Sequence, residues 1–219
     1  MKEVDLAERV IRWLEGRGWD VYQEVTTGWQ GVADIAAVKD GVLWVVETKT
    51  SLSFALIDQA RERLRIADYV SVAVPDSVKG SRGDTAYWVL RHFGIGLVQV
   101  DRYYMESIRE TYKPKRQTPD RRRTDKLLGN LCPEHKTYAK AGSPHGRVWT
   151  PFKRTCRDAL GYVEVNGPCT VRELVEGIEH HYDTTKSAKV NLTRLIDLDQ
   201  VPGLKLDRRR RPAKVVRTS

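Results

Sequence analysis

Asp34 and the run Glu47-Thr48-Lys49 are the residues whose types and spacing suit a reaction. Twelve residues separate Asp34 from Glu47, and between them lie two apolar runs, Val32–Val38 and Val42–Thr48, around Lys39-Asp40-Gly41. Asp-Gly at such a junction predicts a tight hairpin, which lays the two carboxylates side by side. Glu47 and Lys49 are two apart, so on one strand they are expected on the same face. Ionised groups set against apolar strands need an ionic partner or a metal. Asp34, Glu47 and the Thr48 carbonyl offer the hard oxygen ligands that Mg²⁺ takes, with Mn²⁺ as a substitute. An ion held there polarises a phosphate oxygen and lowers the pKa of a bound water. Lys49 is then placed to orient that water or to neutralise charge on the phosphate. The competing reading is a surface acid beside an ordinary Glu–Lys pair.

These groups need a scaffold, and the surrounding pattern supplies one. Val4, Ala7, Val10, Ile11 and Leu14 repeat at helical spacing over residues 3–16, with Gly16 and Gly18 as the stop. Trp19–Val25 alternates like a strand, Thr26–Gly31 is a loop, and the hairpin follows. Ser53 or Asp58 caps a helix running to about Ala67, Tyr69–Val74 is a strand ended by Pro75, a short helix lies near Thr85–His92, and Gly96–Val100 is a further strand. This order predicts a mixed α/β domain over residues 1–112, built around one sheet.

With these residues in place, the chain resembles the PD-(D/E)XK nuclease superfamily over roughly residues 3–105. The match rests on Ala33-Asp34 for the leading acid and on Glu47-Thr48-Lys49 in a strand–hairpin–strand setting. The run Ala67–Pro75 is similar to the strand after the next helix in small bacterial members such as the MmcB-like DNA-repair proteins. The resemblance implies a restriction-endonuclease-like core, a mixed sheet flanked by helices, that hydrolyses DNA phosphodiesters with Mg²⁺. It also implies supporting roles for Glu8, in the first helix, and for Gln59, with Arg63 one turn later.

The charge is uneven. Residues 1–112 hold 14 Lys and Arg against 17 Asp and Glu, a net −3, whereas residues 113–219 hold 24 against 12, a net +12. The partner expected of so basic a half is nucleic acid. Residues 113–126 contain two prolines and no aliphatic side chain, so 113–149 is expected to be a basic linker. Residues 150–219 then show three helical stretches, near 152–163, 170–180 and 186–198, before a basic alternating ribbon over 203–217. These are the ingredients of a winged-helix (α+β) DNA-binding domain. Thr184, Lys186, Ser187, Lys189 and Asn191 are expected at the DNA-facing start of the recognition helix, with Leu192, Leu195, Ile196 and Leu198 on its buried side. Arg208, Arg209, Arg210 and Arg211 are expected at the tip of the wing, against phosphates or in a minor groove.

Other classes lack support. The longest apolar run, Gly41–Val46, is far short of the ~20 residues that cross a bilayer, and the acidic start Glu3, Asp5 does not suit a signal peptide. A cytoplasmic protein is expected. Three cysteines imply no disulfide framework. Cys132 and His135 have a zinc-like spacing, but ten residues lie between His145 and Cys156, so zinc is not expected. There is no phosphate-binding glycine loop and no nucleophile elbow. The expectation is a Mg²⁺-dependent endonuclease acting on DNA, with one site per chain, so that double-strand cleavage needs a homodimer or two events. The alternative is a non-catalytic DNA-binding regulator or replication protein on a nuclease-like scaffold.

Overall fold

The computed structural model describes residues 1–28, 31–76, 83–104, 107–143, 148–209 and 211–218 (of 83 and 84, the backbone only). The chain divides into two compact units, Met1–Trp149 and Thr150–Ser219. The first contains α1 (Glu3–Glu15), β1 (Asp20–Thr26), β2 (Val32–Lys39), β3 (Val42–Thr48), α2 (Phe54–Arg63), β4 (Tyr69–Pro75), α3 (Gly83–Phe93), β5 (Gly96–Val100), β6 (Ile108–Tyr112) and α4 (Arg121–Asn130), then a short 3-10 turn at Pro133–Lys136. Its six strands form one sheet in the order β1-β2-β3-β4-β5-β6. β3, β4 and β5 run parallel to one another; the other neighbours are antiparallel. The mixed α/β class is as expected.

Both faces of the sheet are covered, which is why its central strands are almost continuously apolar. Leu43 and Val45 of β3, with Val70, Val72 and Val74 of β4, pack toward α2, α3 and α4. Trp44 and Val46 pack on the other side against Leu6, Ala7, Val10, Ile11 and Leu14 of α1. The hairpin turn has Asp40 at φ 51° and Gly41 at φ 74°, the pair of positive values that a type I′ turn requires. β6 was not anticipated: Ile-Arg-Glu-Thr-Tyr is a short, half-buried edge strand with little apolar signal.

The expected linker is not one. Residues 113–149 fold onto the first unit. The amides of Lys115, Gln117 and Asp120 donate to the carbonyls of Gly94, Asp68 and Arg65, and the Thr124 hydroxyl donates to Ile66 O at 2.8 Å. Arg121 pairs with Asp68, whose fully buried carboxylate also accepts the Leu43 amide. Leu127 lies in the main core, with Leu128 and Leu131 packed against it. Aliphatic content was the wrong criterion for this segment, because its first part is secured by backbone and carboxylate hydrogen bonds. The charge asymmetry changes with the boundary. The first unit carries 24 Lys and Arg against 20 Asp and Glu, net +4, and the second 14 against 9, net +5.

The second unit holds α5 (Pro151–Asn166), α6 (Val171–Gly177), α7 (Thr185–Asp197) and an antiparallel ribbon of β7 (Leu204–Asp207) with β8 (Lys214–Arg217). Leu174, Ala188, Leu192, Ile196, Leu204 and Val215 share its core. This is the expected order of three helices and a ribbon. Leu198 departs from expectation: it is 55% exposed at the end of α7. Among the described residues no helix is long and apolar enough to cross a membrane.

Leu127 decides between a linker and a folded segment. Leu127→Ala should cost about 2–5 kcal/mol through the cavity it leaves, measured by urea unfolding of the full chain. Unchanged stability would restore the linker reading.

Candidate active site

The site forms where β1 and β2 lose their regular alternation. Val21 packs on the α1 side and Tyr22 on the α2 side, so alternation would return Val25 to the α1 side, yet it lies on the α2 side. The residue between them that resets the pattern is Glu24, with φ 49° in the left-handed region. On β2, Ala33 and Ile35 are two apart but pack on opposite sides, with Asp34 between them. The register pairs Gln23 with Ile35 and Val25 with Ala33, so Glu24 and Asp34 face each other across the two strands. Cross-strand neighbours are about 5 Å apart, within strong electrostatic range.

β3 completes the group. Both the amide and the hydroxyl of Thr48 donate to Asp34 Oδ2, at 2.7 and 3.0 Å. Asp34 Oδ1 has no hydrogen bond among the described residues. Glu47 is 2% exposed, and the Arg63 guanidinium donates to its Oε1 at 2.6 Å. Arg63 also donates to Thr27 Oγ1 at 3.3 Å and to Val32 O at 2.8 Å, which ties the β1–β2 connection to the site. Lys49 lies just past the end of β3; its ammonium donates to Glu3 Oε1 at 2.7 Å. Glu47 finds its partner on α2 and Lys49 finds its partner on α1, while Lys49 still senses the charges of Asp34 and Glu47.

Burial shapes the charges. Glu47 is pushed up to about 7, mainly by burial and by the neighbouring charge of Asp34, with Arg63 opposing. Glu24 is also pushed up to about 7 by burial and by Asp34, while the Gly142 amide, donating to Glu24 Oε1 at 3.1 Å, offsets part of this. Burial raises Asp34 as well, against the two Thr48 hydrogen bonds. Burial disfavours the charge on Lys49, but the hydrogen bond it donates to Glu3, with the fields of Glu3, Asp34 and Glu47, outweighs it and raises the ammonium.

Two of the expected supporting residues lie elsewhere. Glu8 is five positions after Glu3, about 140° around the helix, and its carboxylate pairs on the surface with Lys140 at 2.8 Å. Gln59 is exposed and makes no hydrogen bond among the described residues; Arg63, one turn later, reaches the site instead. Glu3 was missed, although its first-turn position on an amphipathic helix that ends beside the sheet was a signal. Gly142 was missed because it comes from the supposed linker. It has φ 75°, and a Cβ there would lie 2.9 Å from the Glu3 backbone.

A divalent cation suits the donor set. Glu3, Glu24, Asp34 and Glu47 face Lys49 and Arg63, an excess of two negative charges when all are ionised. Asp34 and Glu47 can supply one hard oxygen each, and Thr48 a carbonyl; Mg²⁺ usually keeps waters in its remaining positions. Among the described residues there is no group of three or more His, Cys, Asp or Glu that could hold a metal ion, so any ion here would rest on two carboxylates and a carbonyl. Cys132 Sγ is 3.1 Å from His135 Nδ1, and His145 lies outside the described residues.

In the second unit, Lys186 and Lys189 are exposed on the first turns of α7. Thr184 caps that helix, accepting from the Ser187 amide at 3.1 Å, and the Asn191 amide donates to the Ser187 carbonyl and hydroxyl. These three polar residues are thus partly occupied in shaping the helix. Arg208 pairs with Asp197, Arg209 and Arg211 are exposed, and Arg210 lies outside the described residues.

The raised carboxylates fix a sign for pH dependence. A carboxyl held near 7 in the fold but near 4.5 when unfolded stabilises the protein fully below the lower value. That stability is lost as pH rises through about 7. Wild-type stability should therefore fall between pH 5 and 8, and Glu24→Gln should flatten the fall, as measured by thermal unfolding across pH; an unaltered slope would show Glu24 to be an ordinary acid.

No family model matches the sequence, and no curated protein is similar to it. Among solved structures, the chain is similar to SPO1766, a protein of unknown function from Silicibacter pomeroyi, at 20% identity and TM-score 0.46, over 59% of this chain and 83% of that one. It is also similar to AF1548, another protein of unknown function, at 13% identity and TM-score 0.34, over 89% of this chain and 97% of that one.

Proposed function

We propose that the chain is a Mg²⁺-dependent endodeoxyribonuclease whose second unit holds DNA. The observation that carries this is the cluster of four acids with Lys49 at the end of the hairpin. Carboxyls lifted to about 7 by burial and by one another, beside an ammonium, are costly for a purely structural site but match a site that works on a phosphate with a cation present.

Asp34, Glu47 and the Thr48 carbonyl would hold the ion. When bound, the ion supplies Lewis acidity and a more acidic water. Thr48 fixes the Asp34 carboxylate with two hydrogen bonds. Arg63 holds Glu47 in one orientation, which reduces the reorganisation needed during reaction. Lys49 orients the attacking water or balances the charge that builds on the phosphate, and Glu3 keeps its ammonium charged and in place. Lys186 and Lys189 with Arg208, Arg209, Arg210 and Arg211 would supply the phosphate contacts that position the duplex.

A second reading has a specific observation in its favour. Glu47 already has Arg63 and Lys49 already has Glu3, so two of the charges are balanced within the chain. On that reading the protein is a DNA-binding regulator with no turnover.

Supercoiled plasmid separates the two. Nicking or linearisation in Mg²⁺, abolished by EDTA, is the expected result. Lys49→Ala should slow it about 10²–10⁴-fold with DNA affinity unchanged, as loss of one proton-handling or charge-balancing group does. A salt-sensitive gel shift without cleavage would replace the enzyme by the regulator, and a Lys49→Ala chain that cuts at the wild-type rate would remove Lys49 from the catalytic group.

A further inference from the structure

Outside the acid cluster, the first unit holds a cleft between the β1–β2 connection and α4, with a cavity of about 130 Å³. Thr26, Thr27 and Gly28 form one wall and Arg123, Lys126 and Asn130 the other; no carboxylate is among the lining residues. The volume is well above what a single water needs. Lys126 is exposed and has no ionic partner among the described residues, and Arg123 has only an exposed pair with Asp120 at 3.3 Å. Such a surface pair is weak and easily exchanged. Gly28 has φ 77°, and a Cβ there would meet nothing within 4 Å, so that wall is open to a ligand.

Ile66 and Leu127 form the floor, and the Thr27 hydroxyl already donates to Gly31 O at 2.8 Å; the two cations, the Thr26 hydroxyl and the Asn130 amide, with no acid, suit an anion with several oxygens rather than a cation. The cleft is also one side chain from the acid cluster. Arg63 touches Thr27 in its wall with one nitrogen and Glu47 with another. The link runs through the interior, since Arg63 is 3% exposed, and it sets the two places close together in the same unit.

We propose that this cleft is a phosphodiester subsite, which holds a backbone phosphate of a nucleic-acid strand near the one presented to Asp34 and Glu47. The proposal rests on the nucleic-acid reading given above but not on cleavage. It explains why the basic segment 113–149 is folded onto the acid-bearing unit instead of hanging between the units.

The test uses the full chain in EDTA, where no cleavage enters, and a fluorescein-labelled DNA duplex followed by anisotropy across a salt series. Log affinity falls with log salt by about 0.9 per phosphate neutralised, so Arg123→Gln with Lys126→Gln, which empties a subsite for one phosphate, should flatten the slope by about 0.9 and weaken binding at low salt. Arg12→Gln on α1 with Arg17→Gln just past its end, both exposed, removes the same charge and should leave the slope as it is. An unchanged slope in the cleft pair, or an equal change in both pairs, overturns the subsite. A chain that shows the cleft-dependent slope but never cuts plasmid in Mg²⁺ keeps the subsite and loses the nuclease reading. A chain that cuts, with a slope indifferent to Arg123 and Lys126, does the reverse.

Discussion

Glu47 sits 2% exposed near the end of a strand whose preceding residues are all apolar, and a carboxylate in that place is stable only with compensation. Arg63, itself 3% exposed, is that compensation, and it determines much around it. It must come from α2 at the height of Glu47, which fixes how α2 lies on the sheet. Its remaining nitrogens reach Thr27 and Val32, so the connection that leads into Asp34 is held from the same point. One guanidinium thus sets the acid of β3, the start of β2 and the end of β1 relative to each other. Removing either partner would leave a buried charge alone, which costs far more than the pair itself contributes.

The parts of the site visible in the sequence are those fixed by local rules. Asp40-Gly41 sets the turn, the turn sets the register of β2 and β3, and the register brings Asp34 to Thr48. The hidden parts depend on tertiary packing. Glu24 belongs to the site because its left-handed backbone turns it to face Asp34, and nothing in its neighbours demands that conformation. Glu3 rather than Glu8 reaches Lys49 because of how α1 is rotated, and the apolar stripe alone leaves both acids near its border. Gly142 could not be foreseen at all while its segment was taken for a linker.

That segment also shows how composition misleads. Without aliphatic residues, 113–126 looks unable to fold, yet it fills backbone hydrogen-bonding needs at Asp68, Arg65 and Gly94 that would otherwise go unmet at the surface of the core. Its basic side chains stay in water while its backbone is captured. Moving it to the first unit turns an acidic half and a basic half into two units of net +4 and +5. The division of labour by charge is then within the first unit, not between the two.

Within that unit the two signs of charge occupy different media. The acids are buried or half-buried, where fields are strong and salt does not reach; the cations of α4 are exposed, where a Debye length of about 8 Å at physiological salt limits their range. The acid cluster consequently answers to pH, through carboxyls lying close to 7. The cationic surface answers to ionic strength, and the proposed hold on a polyanion would carry that dependence. Because Arg63 spans from Glu47 to the wall of the cleft, a phosphate in the proposed subsite would change the electrostatic surroundings of the same guanidinium that keeps Glu47 in place. Coupling of that kind is reciprocal: whatever alters the charge of Glu47 alters the hold on the phosphate by the same free energy.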